Sequence, residues 1–262
     1  MSTTTIRTTG TGRIRALGRA ELTLLWRNRV AMATALLLPL AMVLGLRPAL
    51  SKVDFKGSGL NPDSMSISGG IGFVLAFAVY YNLVTAYVAR REELVLKRLR
   101  TGEATDLEIL AGTALPTVAL ALAQCAVLLA AGALLLTMDP PHRPDLLLAG
   151  LLLAPVLLAA LAAASTVFTR TVELAQFTTA PLLLVIVLGS GLILPLDELP
   201  RQLAEVCRYL PMTPVMDLIR AGLVGGPGAR AGQVLESLGL ALAWTVVAVL
   251  AAQRWFRWEP RR

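Results

Sequence analysis

Charged residues are scarce in this 262-residue sequence. They make up 16% of the chain, whereas soluble domains carry about 25%. Hydrophobic residues account for 56%, and the mean hydropathy is +0.68. This balance excludes an ordinary soluble enzyme and a disordered tail protein.

Cysteine and histidine are almost absent. The chain has two cysteines, Cys125 and Cys207, no C-x-x-C motif, and the single histidine His142. Metal centres and Cys/His catalysis need several such side chains at defined spacing. We therefore interpret the cysteines as packing residues and His142 as a loop residue, and we expect neither a metal site nor a catalytic site.

What the chain does contain is six long runs without a charged residue. They are Val30–Leu46, Ser64–Ala89, Ile109–Met138, Leu146–Thr169, Leu174–Leu196 and Ser237–Gln253, and they cover just over half of the sequence. A hydrocarbon core about 30 Å thick needs about 20 helical residues. The pattern predicts one all-α membrane domain over residues 1–262, with spans near 30–46, 69–88, 109–136, 146–168, 174–194 and 235–253. A β-barrel is disfavoured, because the runs lack strict alternation.

Lysine and arginine set the predicted orientation. Counted over alternate segments, they number 16 on the side of both termini and eight on the other side. By the positive-inside rule both termini are predicted to be cytoplasmic. The net charge of +7 is then mainly a topology signal, and nucleic-acid binding is disfavoured. Residues 11–28 combine apolar and basic positions and predict an interfacial helix, so we expect no removed signal peptide.

Residues 90–108, the second cytoplasmic connection, are rich in charge. Arg90 to Glu93 are all charged, and a second cluster lies at Lys97, Arg98 and Arg100. Glu93 and Lys97 are spaced for an i, i+4 pair on a short helix, and Thr105 or Asp106 can cap the next helix. Two interpretations stay open: a solvated loop that fixes topology, or a docking element for a cytoplasmic partner.

Residues 195–231, an outer segment, do not resemble a plain loop. Pro195 and Pro200 break the fifth span around Asp197 and Glu198, and helical spacing follows, with Leu203, Val206, Cys207 and Leu210 predicted on one side. A second short helix is predicted over Met216–Leu223. We expect a helical hairpin that enters the outer leaflet, in which Asp217 and Arg220, spaced i, i+3, neutralise each other.

A few polar side chains lie within the spans. Tyr80, Tyr81 and Tyr87 are interpreted as interfacial anchors. Polar groups such as Ser165 typically join helices by hydrogen bonds, although they can also line a transport path. The candidate path residues are Asn82, Gln124, Gln176 and Thr178.

Two stretches resemble a known family. Arg91-Glu92-Glu93 followed by Leu96-Lys97-Arg98-Leu99-Arg100 resembles the cytoplasmic loop of type-2 ATP-binding-cassette (ABC) transporter permeases. The outer stretch Pro195–Pro200, then Leu210–Pro214, Asp217–Arg220 and Gly225-Gly226, resembles the outer hairpin of that family. The overall pattern is most similar to small antibiotic-export permeases of the daunorubicin-resistance type. The chain departs from the pattern at Leu94-Val95, where many relatives have Gly-Thr.

The resemblance implies the membrane half of an exporter in the plasma membrane (the cell inner membrane). Such a permease forms a dimer, here a homodimer, surrounded by lipid, and binds a separate nucleotide-binding subunit that holds ATP and Mg. Arg91, Glu92, Glu93, Lys97, Arg98 and Arg100 would couple the two proteins. The cargo would be a lipophilic or amphipathic drug, lipid or secondary metabolite.

One independent observation agrees with an ATPase that is a separate protein. The only lysines are Lys52, Lys56 and Lys97, and none completes the phosphate-binding motif G-x-x-x-x-G-K-[ST]. The chain is therefore not expected to be an enzyme or to hold a cofactor of its own. The alternatives are a non-transporting membrane scaffold and an integral membrane enzyme.

Overall fold

A computed structural model describes residues 29–50, 61–95, 105–136, 138–193, 195–196, 199–256 and 258. These residues contain helices and connecting turns, and no strand occurs among them. The all-α prediction is confirmed at this level. The interfacial helix predicted over residues 11–28 lies outside the described residues.

Eight helices follow one another along the described chain. They are α1 (Arg29–Leu50), α2 (Pro62–Glu92), α3 (Asp106–Leu135), α4 (Pro144–Ser165), α5 (Val172–Gly189), α6 (Arg201–Arg208), α7 (Thr213–Val224) and α8 (Ala231–Trp255). A π-helical segment, Leu75–Tyr81, lies in the middle of α2, and a 3₁₀ turn, Pro227–Ala229, precedes α8.

Five helices are long and apolar enough to cross a membrane: α2, α3, α4, α5 and α8. They correspond to five of the six predicted spans. The helix α1 has 22 residues and coincides with the predicted first span, but the membrane crossing of this helix stays a prediction.

The second span begins earlier than predicted, at Pro62 instead of residue 69. Asn61 and Ser64 form a capping box: the Ser64 N–H donates to Asn61 Oδ1 (2.7 Å) and the Asn61 N–H donates to Ser64 Oγ (3.0 Å). Pro62 at the first helical position suits a helix start. Ser64, Ser66 and Ser68 in this stretch are buried, and Ser66 Oγ donates to the Pro62 carbonyl at 2.7 Å.

The fifth span ends earlier than predicted, at Gly189 instead of residue 194. Gly191 has a backbone φ of +67°, a left-handed conformation that glycine adopts without a Cβ clash and that ends a right-handed helix. The other described spans differ from the predicted bounds by a few residues. At the start of α3, Thr105 and Glu108 form the expected cap, in which the Thr105 N–H donates to Glu108 Oε2 at 2.8 Å.

The core surrounds α2. From Ser64 onward this helix is buried except along one side, and Leu75, Val79, Leu83 and Val84 pack into the main apolar cluster with Leu157 of α4. Tyr80 and Tyr87 are also buried. Tyr80 Oη donates to Ser165 Oγ (3.2 Å) and Tyr87 Oη donates to the Leu110 carbonyl (3.1 Å). The prediction that these two tyrosines are interfacial anchors is therefore wrong, because both rings join helices inside the protein.

The two short helices also differ from their prediction in detail. In α6 the buried residues are Ala204 and Cys207, whereas Leu203 and Val206 are half to two-thirds exposed. Small side chains of this helix thus face the protein, and large apolar ones face outward. The helix α7 is almost wholly buried and packs against α4.

Glycines bring α4 and α7 together. A Cβ on Gly222 would lie 2.7 Å from Leu147 Cα, and one on Gly150 would lie 2.6 Å from Ile219 Cγ1. The Arg143 N–H also donates to the Gly222 carbonyl at 3.0 Å. Close approach through small residues is typical of helix pairs in membranes. Since Leu147 faces Gly222 and Gly150 faces Ile219, the two helices run antiparallel.

Candidate coupling and transport sites

The inner end of α2 carries a buried arginine. Arg91 is 1% exposed and donates to three backbone carbonyls: Thr166 (3.1 Å), Thr169 (2.5 Å) and Arg170 (3.3 Å). These carbonyls follow the last residue of α4. Because the final carbonyls of a helix lack intrahelical donors and carry partial negative charge, a cation is favourable there. Arg91 thus holds the end of α2 against the turn between α4 and α5.

The residues after Arg91 point the other way. Glu92, Glu93 and Leu94 are exposed. Leu94 has a φ of +59°, a left-handed conformation that costs a non-glycine residue about 1–2 kcal/mol. The Leu94 N–H donates to the Arg91 carbonyl at 3.1 Å and closes the turn. Of the predicted coupling residues, Arg91 therefore faces the protein, Glu92 and Glu93 face outward, and Lys97, Arg98 and Arg100 lie outside the described residues.

Further bonds fix the same end of α2. Arg90 Nη1 donates to Thr113 Oγ1 of α3 at 3.0 Å, and the Tyr87 ring meets Phe256 edge to face, with centroids 6.0 Å apart. The ends of α2 and α8, the start of α3 and the α4–α5 turn thus share one end of the bundle. The predicted topology places these same segments on one side of the membrane.

The candidate path residues lie on three helices. Asn82 is exposed on α2, and Gln124 is buried on α3. On α5, Gln176 is exposed and Thr178 Oγ1 lies 2.6 Å from Thr169 Oγ1. Thr178 therefore joins α5 to the preceding turn, while Asn82 and Gln176 remain open to the surroundings of the chain.

Sequence reasoning missed an aromatic row beside Asn82. The single open side of α2 carries Phe73, Phe77 and Tyr81 above Asn82. Phe73 and Phe77 stack with centroids 5.9 Å apart, and Phe77 and Tyr81 are 6.4 Å apart. The spacing i, i+4 was the available signal, but it does not say which side of a helix is left uncovered.

At the opposite end, Arg220 of α7 binds the end of α5. Its guanidinium donates to the Ser190 carbonyl (3.1 Å) and to the Gly191 carbonyl, and it lies 3.5 Å from Asp217 Oδ1. The pairing of Asp217 with Arg220 is present, but the carbonyl contacts were not predicted. Asp197 and Glu198, the other predicted hairpin residues, lie outside the described residues.

Ion pairs occur at the same end of the bundle. Arg143 and Asp145 form a two-bond pair (3.0 and 2.7 Å), and the hydrogen bonds and charge of Asp145 raise the pKa of the exposed Arg143 guanidinium. Arg47 Nε and Asp63 Oδ1, 2.5 Å apart, join the end of α1 to the start of α2. Because water screens exposed charges, pairs of this kind contribute little to stability.

The chemistry of the described residues is that of packing and hydrogen bonding. Cys125 and Cys207 are buried free thiols. Within the described ranges, no three His, Cys, Asp or Glu side chains are grouped in a way that could hold a metal ion. These residues can hold the helix ends together, and the open side of α2 can offer an aromatic and polar surface.

Comparison with known proteins identifies the family. The family model of the ABC-2 type transporter matches residues 12–224, which is most of the chain and includes α1 to α7. No curated protein matches the chain significantly. The match covers the predicted coupling connection, residues 90–108, and the outer segment up to residue 224. The chain therefore belongs to the ABC-2 type transporter family, and it is a membrane permease subunit of an ABC transporter.

Proposed function

We propose that this permease exports a lipophilic or amphipathic compound across the plasma membrane, driven by ATP that a separate subunit hydrolyses. ABC-2 permeases generally pair with an ATP-binding subunit. The sequence has no phosphate-binding motif of its own, so the energy has to arrive by contact. The proposed partner holds ATP and Mg, and two copies of this chain form a homodimer in the lipid.

The proposal rests on the inner corner of the permease, by which we mean the end of α2 (residues 91–94) and the α4–α5 turn. Exposed Glu92 and Glu93 follow directly on Arg91, which is buried against the α4–α5 turn. A surface that receives a partner has to be both accessible and attached to the helices that move. The segment 92–94 meets both requirements, and we propose that it binds the ATP-binding subunit, to which Lys97, Arg98 and Arg100 of the same connection also contribute charge.

The open side of α2 supports an apolar or amphipathic cargo. Its stacked rings offer flat apolar area, and Asn82 adds a polar group next to them. Polar side chains at membrane depth are unfavourable against lipid tails. We propose that this side faces the second copy of the chain and that, with α5, it lines the path.

We also propose that α6 and α7 form a hairpin within the outer leaflet. Leu203 and Val206 of α6 are 50% and 63% exposed, which suits contact with lipid tails, while α7 is buried against α4. Arg220 is satisfied by backbone carbonyls and by Asp217, so its charge is tolerable at that depth.

The mechanism follows from these contacts. ATP binding closes the paired ATP-binding subunits, and the segment 92–94 moves with them. Because the end of α2 is bonded to α3 and to the α4–α5 turn, the helices tilt as rigid bodies. Tilting of α2 and α5 opens the path between the two copies, and the drug-like cargo leaves on the outer side.

The test is reconstitution of the permease with an ATP-binding subunit that co-purifies with it. Purified complex in liposomes is given ATP and daunorubicin, and drug transport is followed by fluorescence. We expect transport and permease-dependent ATP hydrolysis, both lowered when Glu92 and Glu93 are replaced by Ala. An E205A variant, changed at an exposed glutamate of α6, serves as the control.

Two results would contradict the proposal. ATP hydrolysis by the purified permease alone would show that this chain has an ATPase site of its own. A stable complex that hydrolyses ATP but moves neither daunorubicin nor a fluorescent phospholipid would favour the scaffold alternative.

A further inference from the structure

Arg91 differs from its neighbours in how it is held. It is the largest of the fully buried side chains, and its acceptors are carbonyls of the chain itself, at Thr166, Thr169 and Arg170. Hydrogen bonds from a charged donor are about twice as strong as neutral ones. A buried guanidinium that loses such acceptors is costly, so the end of α2 and the α4–α5 turn are expected to move together.

A second, independent observation lies three residues further on. Leu94 has the left-handed φ of +59°, and it is the only non-glycine residue with positive φ within the described ranges. Strained backbone persists where the surroundings determine it, and such positions are frequent at switch segments. The turn after Arg91 therefore keeps its strained φ through surrounding contacts, one of which is the bond from the Leu94 N–H to the Arg91 carbonyl.

The turn that Arg91 contacts is itself continuous with α5. Thr169 accepts from Arg91 through its carbonyl, and its hydroxyl lies 2.6 Å from Thr178 Oγ1, which is almost two turns inside α5. Thr171 caps the same helix through the Leu174 N–H. A connected series of bonds thus runs from the end of α2 through the turn into α5.

We propose that Arg91 is a positioning residue that transmits movement of the exposed segment 92–94 to α5. This inference rests on the proposed function, and it changes the expected role of Arg91. The side chain does not receive the ATP-binding subunit directly. It converts displacement of the accessible glutamates Glu92 and Glu93 into displacement of a helix that lines the proposed path.

The informative substitution is R91K, because lysine keeps the charge but lacks the planar fork that reaches several acceptors at once. The matched control is R201K, which makes the same exchange at an exposed arginine of α6, outside the inner corner. Both variants are reconstituted with the ATP-binding subunit. The readouts are the amount of complex, the rate of ATP hydrolysis and the number of daunorubicin molecules moved per ATP.

We expect R91K to lower the drug moved per ATP by about 2- to 30-fold, the range for residues that mediate coupling without touching a ligand. Complex formation and ATP hydrolysis should persist, and R201K should keep the ratio near that of the unmutated chain. An unchanged ratio in R91K would overturn the inference. If R91K does not accumulate, R91Q replaces it, since glutamine can still donate to one carbonyl without a buried charge.

A distance measurement separates this inference from the proposed function. Spin labels are attached at Glu93 and Glu173, both exposed, in the full permease. One narrow distance is expected in the unmutated chain, and a broadened or second distance is expected in R91K. If the unmutated complex moves no drug, the proposed function fails, while the label distance still decides the inference. An identical distance distribution in both proteins would contradict it.

Discussion

At the scale of single residues, the inner corner combines one buried, hydrogen-bonded arginine with one strained backbone position. Arg91 has three carbonyl acceptors, whereas Leu94 has an unfavourable φ. A single substitution at Leu94 can relieve this backbone strain without removing a hydrogen bond, because the bond that closes the turn joins backbone groups.

Leu94→Gly should stabilise the folded permease. Glycine adopts positive φ without the Cβ clash, so the free energy of unfolding should rise by about 1 kcal/mol. Thermal unfolding in detergent, followed by tryptophan fluorescence, measures the change. Leu94→Ala is the matched control, since it removes the exposed side chain but keeps the backbone cost. Equal midpoints for the two variants would contradict the strain argument.

Some partners of individual side chains can be predicted from the sequence, and others cannot. The spacing of Asp217 and Arg220 predicts their pair, because both partners are side chains with visible charge. The carbonyls that hold Arg91 and Arg220 belong to backbone, which every residue carries, so no letter in the sequence indicates them. The tyrosines were misassigned for a related reason, since Tyr80 and Tyr87 bond to groups on other helices.

At the scale of elements, the charge-free runs located the helices but not their ends. Hydrophobicity marks the part of a helix that suits lipid, while helix ends are set by capping. Asn61 and Pro62 start α2 before its apolar run, and Gly191 ends α5 before its run is finished. Helix positions, to which many residues contribute, are therefore predicted correctly. Helix ends, which one or two residues determine, are not.

The contact between α4 and α7 gives a prediction at this scale. Gly222→Ala places a methyl group 2.7 Å from Leu147 Cα, and backbone cannot turn aside as a side chain can. Overpacking of this kind costs about 1–3 kcal/mol, so the thermal midpoint should fall. Gly239→Ala in α8, where no atom lies within 4 Å of the new methyl, should leave the midpoint unchanged or higher. A midpoint for Gly222→Ala equal to that of Gly239→Ala would refute close packing.

At the scale of the whole molecule, the described segments divide between two ends of a helical bundle. The end of α2, the α4–α5 turn and the end of α8 meet at one end, and the loop before α4 meets α7 at the other. The sequence alone predicts this division through the arginine and lysine count. It does not predict which helix lies at the centre, because α2 is no more apolar than its neighbours.

The orientation can be tested with two introduced cysteines, since the native Cys125 and Cys207 are buried. Glu93→Cys lies at the α2 end, and Asp139→Cys lies in the loop before α4, at the other end of the bundle. A membrane-impermeant maleimide should label Asp139→Cys in intact cells and Glu93→Cys only in inverted vesicles. Labelling of both from the same side would contradict the predicted topology.

The reciprocal glycines of α4 and α7 have a consequence for chimeric permeases. Gly150 leaves room for the Ile219 side chain, and Gly222 leaves room for the backbone at Leu147. The surface of each helix is therefore shaped to fit the other helix and does not fit a helix from another protein. A designer who grafts residues 195–230 onto a related scaffold must bring α4 with them. Exchange of the two segments as one unit should give a folded hybrid, whereas exchange of either alone should not.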